Sequence, residues 1–421
     1  MRAVSATAPV DVRLLGLSME HVQRAAVWLL LATSFYVISE PAPTDLIFIT
    51  GLLLFLGSGL RISPLVFPMI LCLLLYNIGG FVSYIVMADN SKAGMFVLAS
   101  VYMGVSAVFF AFFIAENPED RIAVVKNGYI VGAFIASVIG VLSYFNVAGL
   151  AVLSPMGRAQ GTYKDPNVLS TYILLPAIFL LQDLMLNTRG SKLLRYIALM
   201  AILACLFLSF SRGAWLSFVF STVLMAGLTF LLTPSARVRQ RIVVLTVVGA
   251  GLGAILIMYL LTIEEVRMLF YDRLTLVKSY DVGETGRFGR QLNALWDLFQ
   301  APLGFGPMQF AYIYGQDPHN VYLNAFSSYG WLGGISYFLL ILCTAIVGFR
   351  SVLIRTPWQS AAIAVLCPFL GTVIQGVQID TDHWRHFYWM LGLIWGLYAA
   401  SAVYRPVSSR AIPRPFSIPR R

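Results

Sequence analysis

Charge is what this sequence has least of. Of its 421 residues only 11% are Asp, Glu, Lys or Arg, against 59% hydrophobic. With a mean hydropathy of +0.79, it lacks the polar surface that a soluble domain of this length would need, and the composition is that of a multispan membrane protein. Cysteine is scarce too. Cys72, Cys205, Cys343 and Cys367 stand far apart, each inside an apolar run, so they read as small buried side chains rather than disulfides or metal ligands. No short apolar core is followed by a small-residue cleavage site, which argues against a removed signal peptide. No repeat of roughly 20–50 residues shows. Acidic residues are outnumbered 19 to 29, a net charge of +10. In a chain this apolar, the excess reads as membrane topology and not as a nucleic-acid partner.

Apolar runs near the ~20 residues needed to cross a bilayer recur along the chain. They fall at about 24–40, 44–60, 64–88, 94–115, 124–145, 168–186, 193–210, 213–232, 242–262, 331–349, 359–379 and 385–403. The expected fold is therefore all-α: a polytopic integral membrane protein of about twelve transmembrane helices, with a partly helical insert between the ninth and tenth. Loop charge gives the orientation. One set of loops carries Arg2, Arg13, Arg24, Arg61, Arg121, Lys126, Arg189, Lys192, Arg195, Arg237, Arg239, Arg241, Arg350 and Arg355, and the tail adds Arg405, Arg410, Arg414, Arg420 and Arg421. The opposite loops carry few, so the first set is expected to be cytoplasmic. Four stretches follow: 1–262 with nine spans and a cytoplasmic N-terminus, an outward insert at 263–330, three spans in 331–404, and a basic tail at 405–421.

The polar motifs gather on the outward side. Lys164-Asp165-Pro166-Asn167 and Gln316-Asp317-Pro318-His319 each place an N-capping Asp and a first-turn Pro at an expected helix entrance. Each would aim a helix N-terminus, with its unpaired N–H groups, into the outer face. His319 is then expected in a first turn, where the helix dipole disfavours a second positive charge and keeps the imidazole neutral. Within the insert, Gly289–Gln300 carries Leu292, Leu295, Trp296 and Phe299 at spacings of three and four, an amphipathic pattern suited to the membrane surface. Ala301-Pro302 would end it, and Gly304 and Gly306 allow a tight turn.

Each motif also has a plainer reading. Arg212, in Ser211-Arg212-Gly213, sits between two spans and could merely snorkel to the interface. Its place on the side disfavoured for positive charge points to a function. His319 could be interfacial, and Arg287 and Arg290 could be solvated. Asp380, Asp382, His383 and His386 have the residue types of a divalent-metal site, or they form a polar cap between spans, with Asp382 paired to Arg385.

Three stretches resemble the bacterial O-antigen ligase and polymerase-like family: Gly-Thr-Tyr-Lys-Asp-Pro-Asn at 161–167, Ser-Arg-Gly-Ala-Trp at 211–215, and Pro-Leu-Gly-Phe-Gly-Pro at 302–307 followed by Pro-His-Asn-Val-Tyr-Leu at 318–323. The resemblance is carried by about Gly161 to Gly334. It implies a multispan, metal-independent, inverting glycosyltransferase of the bacterial inner membrane, active at the periplasmic face and without a cofactor. Such enzymes take a glycan from an undecaprenyl-diphosphate carrier and attach it to lipid A-core (ligases) or to another carrier-linked glycan (polymerases). The resemblance makes His319, Arg287 and Arg212 the expected catalytic residues; Arg290, Lys164, Asn167 and Asn320 are the expected substrate contacts, with no metal. Many members place an acidic residue before the glycine that follows the Pro-His-Asn motif. Here Ser328-Tyr329 precede Gly330, so no role for that carboxylate is carried over. The rival from another class is a lipid-glycan flippase or transporter, which would place ionisable groups within its spans. The apolar runs are nearly free of them.

The topology is open to test. Cysteines placed at Arg212, Arg287 and His319 are expected to react with a membrane-impermeant thiol reagent in intact cells, and those at Arg239 and Arg355 to stay unlabelled. Labelling of Arg239→Cys without labelling near Gln316 would reverse the orientation.

Overall fold

A computed structural model of the chain describes residues 13–14, 17–39, 41–58, 62–87, 91–188, 190–264, 267–268, 270–271, 283 and 286–405. Arg2, Arg61, Arg189, much of 263–285 and the tail beyond Arg405 lie outside the described residues. Among the described residues the protein is helical apart from one antiparallel pair of two-residue strands, β1 (Arg13–Leu14) and β2 (Leu17–Ser18). The first helices are α1 (Met19–Ala32), α2 (Pro43–Ser58), α3 (Phe67–Met87), α4 (Ser91–Glu116) and α5 (Pro118–Tyr144). Next come α6 (Pro166–Tyr172), α7 (Leu174–Leu186), α8 (Lys192–Leu208), α9 (Arg212–Leu232) and α10 (Ala236–Leu260). The insert supplies α11 (Arg287–Leu298) and α12 (Phe310–Tyr314), and the chain closes with α13 (Val321–Leu353), α14 (Gln359–Gln375) and α15 (Arg385–Val403).

Each expected span overlaps one of these helices, but the count differs from twelve. Among the described residues, seven stretches are long and apolar enough to cross a membrane: Pro64–Val86, Lys92–Glu116, Pro118–Tyr144, Pro166–Leu186, Arg212–Leu232, Ala236–Tyr259 and Val321–Leu353. Length accounts for part of the shortfall. α1 has 14 residues and α8 and α14 have 17 each, below the ~20 that a helix needs to span the hydrocarbon. The apolar stretch through α6 and α7 is 83% buried and forms the centre of the bundle, whereas that of α10 is 6% buried and lies at its edge.

Small residues set a close contact between α4 and α15. A Cβ on Gly392 of α15 would stand 2.3 Å from Ala107 O of α4, and one on Gly396 would stand 2.6 Å from Ala111 O. Between helices in lipid, close backbone approach supplies the dispersion contact that the hydrophobic effect does not. All four cysteines are free thiols.

The two ends of the bundle differ. At the end holding the α4–α5 turn, the buried Arg121 donates to Glu20, Glu116 and Phe113 O, and Arg24 bridges Glu20 to Asp120. Burying a guanidinium is tolerable there because its donors find acceptors. At the other end, Tyr163 Oη donates to Ser34 O at 2.9 Å, and Arg385 donates to Asp45 at 2.9 Å. The expected Asp382–Arg385 pairing does not occur. Arg385 goes to Asp45, and Asp382 goes to His383 and Asn324.

α13 does not begin at 331 as the apolar run suggested. It starts at Val321 and breaks at Gly330, whose φ of 67° and ψ of −173° are open to glycine and not to other residues. The Pro302–Gly306 turn fills the break. Trp331 N donates to Pro302 O at 2.9 Å, while Phe305 N and Gly306 N donate to Ser327 O at 2.7 and 3.1 Å. Backbone groups freed by the kink are thus satisfied from outside the helix, as non-helical backbone at membrane depth requires. A Cβ on Gly330 would lie 2.8 Å from Leu303 C. Gly330→Ala therefore meets both strain and clash, and is expected to cost at least ~1–3 kcal/mol. Thermal unfolding of the purified variant checks this; an unchanged midpoint would contradict the described kink.

Candidate active site

The Asp165-Pro166 entrance forms as its local sequence requires. Asp165 caps α6, its carboxylate accepting from Asn167 N at 2.6 Å, with Pro166 at the first position. Lys164, just before it, is exposed and lines a cavity of about 160 Å³ together with Tyr36, Tyr172, Trp384, Arg385 and His386.

The matching string at 317–319 behaves differently. No helix starts at Asp317-Pro318. Asn320 is the cap of α13, its Oδ1 accepting from Tyr322 N and Leu323 N at 3.1 Å each, and His319 stands outside the helix at a φ of 46°. A long-range interaction overrides the local signal. The carboxyl of Asp380, in the α14–α15 turn, takes His319 N at 3.1 Å and Asn320 N at 3.0 Å. Gly376 O takes Val321 N at 2.8 Å. The N–H groups that an earlier helix start would have left free are already engaged.

His319 is half-buried, and its ring has no hydrogen-bond partner among the described residues. Burial pulls its pKa below the ordinary histidine value, and Arg287 and Arg290 pull the same way, against Asp317 and Asp165. The imidazole is held toward the neutral form by desolvation and two arginines, rather than by the helix dipole invoked from sequence.

α11 delivers those arginines. Arg287 opens it, with its guanidinium carbon 5.0 Å from the Phe288 ring centre. Arg290 donates to Gln316 Oε1 at 2.6 Å, and Gln291 donates to Pro318 O at 2.7 Å, tying the helix to the His319 loop. Ala294 and Leu298 are its buried face. Leu292, Leu295, Trp296 and Phe299 form an exposed apolar stripe.

Arg212 reaches the same end on α9, whose cap Ser211 accepts from Ala214 N. Gly213 lets α14 approach: a Cβ there would stand 3.0 Å from Gln375 Cγ. Gln375 also accepts from Thr171 of α6 and Ser217 of α9, and the next residue, Gly376, holds the start of α13. The helix starts bearing Arg212, Asn167 and Asn320 are therefore joined through the end of α14.

One residue was missed from sequence, and the role of another. Arg158 donates to Ser209 O at 2.6 Å and to Asn167 Oδ1 at 3.1 Å, linking the turn before Arg212 to the start of α6. Its signal was the one used for Arg212, a positive residue on the disfavoured side. Asp380 gave no local signal for its hold on His319. Burial and the neighbouring Asp382 carboxylate push it up to about 8, against the two backbone N–H groups that favour its charged form. Among the described residues no group of three or more His, Cys, Asp or Glu could hold a metal ion. The α14–α15 turn is a polar cap: His383 contacts Asp382 at 3.0 Å through Nδ1 and Phe96 O at 3.0 Å through Nε2.

The fold is that of an all-helical membrane protein, and at this end Arg287 and Arg290 of α11 act electrostatically on a half-buried imidazole. Residues 197–338 match the family model described as O-antigen ligase, which supports an O-antigen ligase-like family for the chain. That family suggests a membrane enzyme of the ligase or polymerase type, a glycosyltransferase acting on lipid-linked glycan and acceptor. The matched segment contains Arg212, Arg287, Arg290, His319 and Asn320, but not Arg158, Lys164, Asn167 or Asp380. The comparison with curated proteins gave no match.

Asp380→Ala leaves two backbone N–H groups without their acceptor, a loss of about 1–3 kcal/mol. Amide exchange across the His319–Leu323 segment is expected to speed by about tenfold or more. Exchange at the wild-type rate would show that this carboxyl does not hold the loop.

Proposed function

We propose that the chain is an inverting glycosyltransferase of the bacterial inner membrane that moves a glycan from an undecaprenyl-diphosphate carrier to an acceptor hydroxyl, that of lipid A-core. The observation that carries the proposal is His319 itself. It stands outside its helix, its backbone pinned by Asp380 and its pKa lowered by burial and by Arg287 and Arg290, within the segment matched to the O-antigen ligase family. In this reading about twelve helices cross the membrane, the shorter ones among them, and the insert at 263–330 faces the periplasm.

The chemistry follows from charge. The acceptor oxygen attacks the anomeric carbon, the carrier diphosphate departs from the opposite face, and the configuration inverts. His319 takes the proton of the acceptor hydroxyl as the new bond forms. Negative charge grows on the oxygen that had joined the sugar to phosphorus. Arg212 and Arg287 meet it with planar, permanently charged forks, so the reaction needs no metal ion. Arg290, Lys164, Asn167 and Asn320 contact the bound substrates, with Arg158 holding Asn167. The diphosphate is already an activated leaving group, and no nucleotide or other cofactor is called for.

Protein in lipid, given carrier-linked glycan and either lipid A-core or a second carrier-linked glycan, tests the proposal and separates ligase from polymerase. His319→Ala is expected to lose roughly 10²-fold or more in rate. Arg212→Lys and Arg287→Lys remain poor, because a point charge does not replace a fork. A base held below the ordinary histidine value loses its function only when protonated. Activity should therefore stay level on the alkaline side of 6.5 and fall with acidification at a midpoint below it. An active His319→Ala protein, or near wild-type transfer by both lysine variants, would overturn the assignment.

A further inference from the structure

The bundle has a second cationic cavity, at the end away from His319. It measures about 470 Å³ and lies where the end of α7 and the starts of α8 and α10 meet. Lys192, Arg195, Arg237 and Arg241 line it, with Asp183 as the one carboxylate. Asp183 is already neutralised, paired with Lys126 and 3.6 Å from Arg195 Nε. Arg195 in turn donates to Thr188 O at 2.9 Å. Lys192, Arg237 and Arg241 have no ion-pair or hydrogen-bond partner among the described residues. Three like charges facing one space repel each other, and an anion between them removes that repulsion.

The walls indicate what carries the anion. α10 is buried only at Ile242 among its described residues. Val244 lines the cavity, and Val247 and Val248 continue its exposed apolar face along the same helix. On the α8 side, Tyr196 and Met200 are likewise uncovered. A space lined by cations therefore opens directly onto an apolar wall. Free phosphate would use the first and leave the second bare. A phosphodiester lipid would use both, its headgroup among the cations and its acyl chains along α10.

We propose that this cavity binds the headgroup of an anionic phospholipid, which fastens the loosely packed α10 to α7 and α8. This site is independent of the glycosyl-transfer reading, and its test reads binding, not activity.

The experiment uses the full-length protein, stripped of lipid in a neutral detergent and offered phosphatidylglycerol, phosphatidylcholine or inorganic phosphate. Bound lipid is counted by native mass spectrometry, and thermal unfolding is followed in parallel. Wild type should retain phosphatidylglycerol over phosphatidylcholine by at least about tenfold, and unfold at higher temperature with it. Lys192→Gln with Arg237→Gln and Arg241→Gln should abolish both effects. Arg237→Gln and Arg241→Gln taken singly should weaken them partway, so a misfolded triple variant would not hide the answer. Arg350→Gln with Arg355→Gln, which leaves the cavity untouched, should keep the preference. Equal retention of the two lipids by wild type, or an undiminished preference in the single and triple cavity variants, would overturn the proposal. So would inorganic phosphate that stabilises wild type as much as phosphatidylglycerol, for the cavity would then take a soluble anion.

Discussion

The carboxyl of Asp380 receives the backbone N–H groups of His319 and Asn320 at 3.1 and 3.0 Å, and the His319 end of the bundle is arranged around that pairing. It fixes where α13 can begin, so His319 sits outside a helix with its ring half-buried. The same carboxyl lies in the turn joining α14 to α15. It therefore couples the His319 loop to the helix whose end meets Gly213 and the start of α9. Two N–H donors on one buried carboxyl also explain how an acidic group is tolerated so close to Asp382, since each donor offsets part of the desolvation.

The insert reaches this end through a second device. α13 breaks at Gly330, and the backbone exposed by the break is taken up by the Pro302–Gly306 turn. α11 is thereby set against the His319 loop, with Trp331 Nε1 donating to Leu298 O at 2.9 Å and Gln291 donating to Pro318 O. α11, which bears Arg287 and Arg290, is held against the His319 loop because a membrane helix was interrupted and its freed groups were satisfied by a loop distant in sequence. Preorganisation of this kind keeps charged groups in place before substrate arrives.

What the sequence disclosed divides along the range of the interactions. The α6 entrance was legible because its determinants, Asp165, Pro166 and Asn167, are adjacent. The amphipathic α11 was legible for the same reason, its stripe being set by spacings of three and four. Asp317-Pro318 carried the same local signal as Asp165-Pro166 and gave no helix start, because Asp380, Gly376 and the competing cap Asn320 act on it from outside. The Gly330 break was hidden likewise, since nothing near residue 330 announces the turn that fills it. Arg158 was within reach, being a positive residue on the side where few occur. The span count was less legible than the helices themselves. Hydropathy finds α1, α8 and α14 as apolar runs, while their folded lengths fall short of a bilayer.

Both ends of the bundle present cations, and a structure of the protein in lipid with undecaprenyl diphosphate bound would test the central claim most directly. The account predicts diphosphate oxygens on the guanidinium groups of Arg212 and Arg287, with the His319 ring facing the space that the sugar would occupy. Diphosphate found instead among Lys192, Arg237 and Arg241, or at the opposite end but beyond the reach of His319, would contradict it.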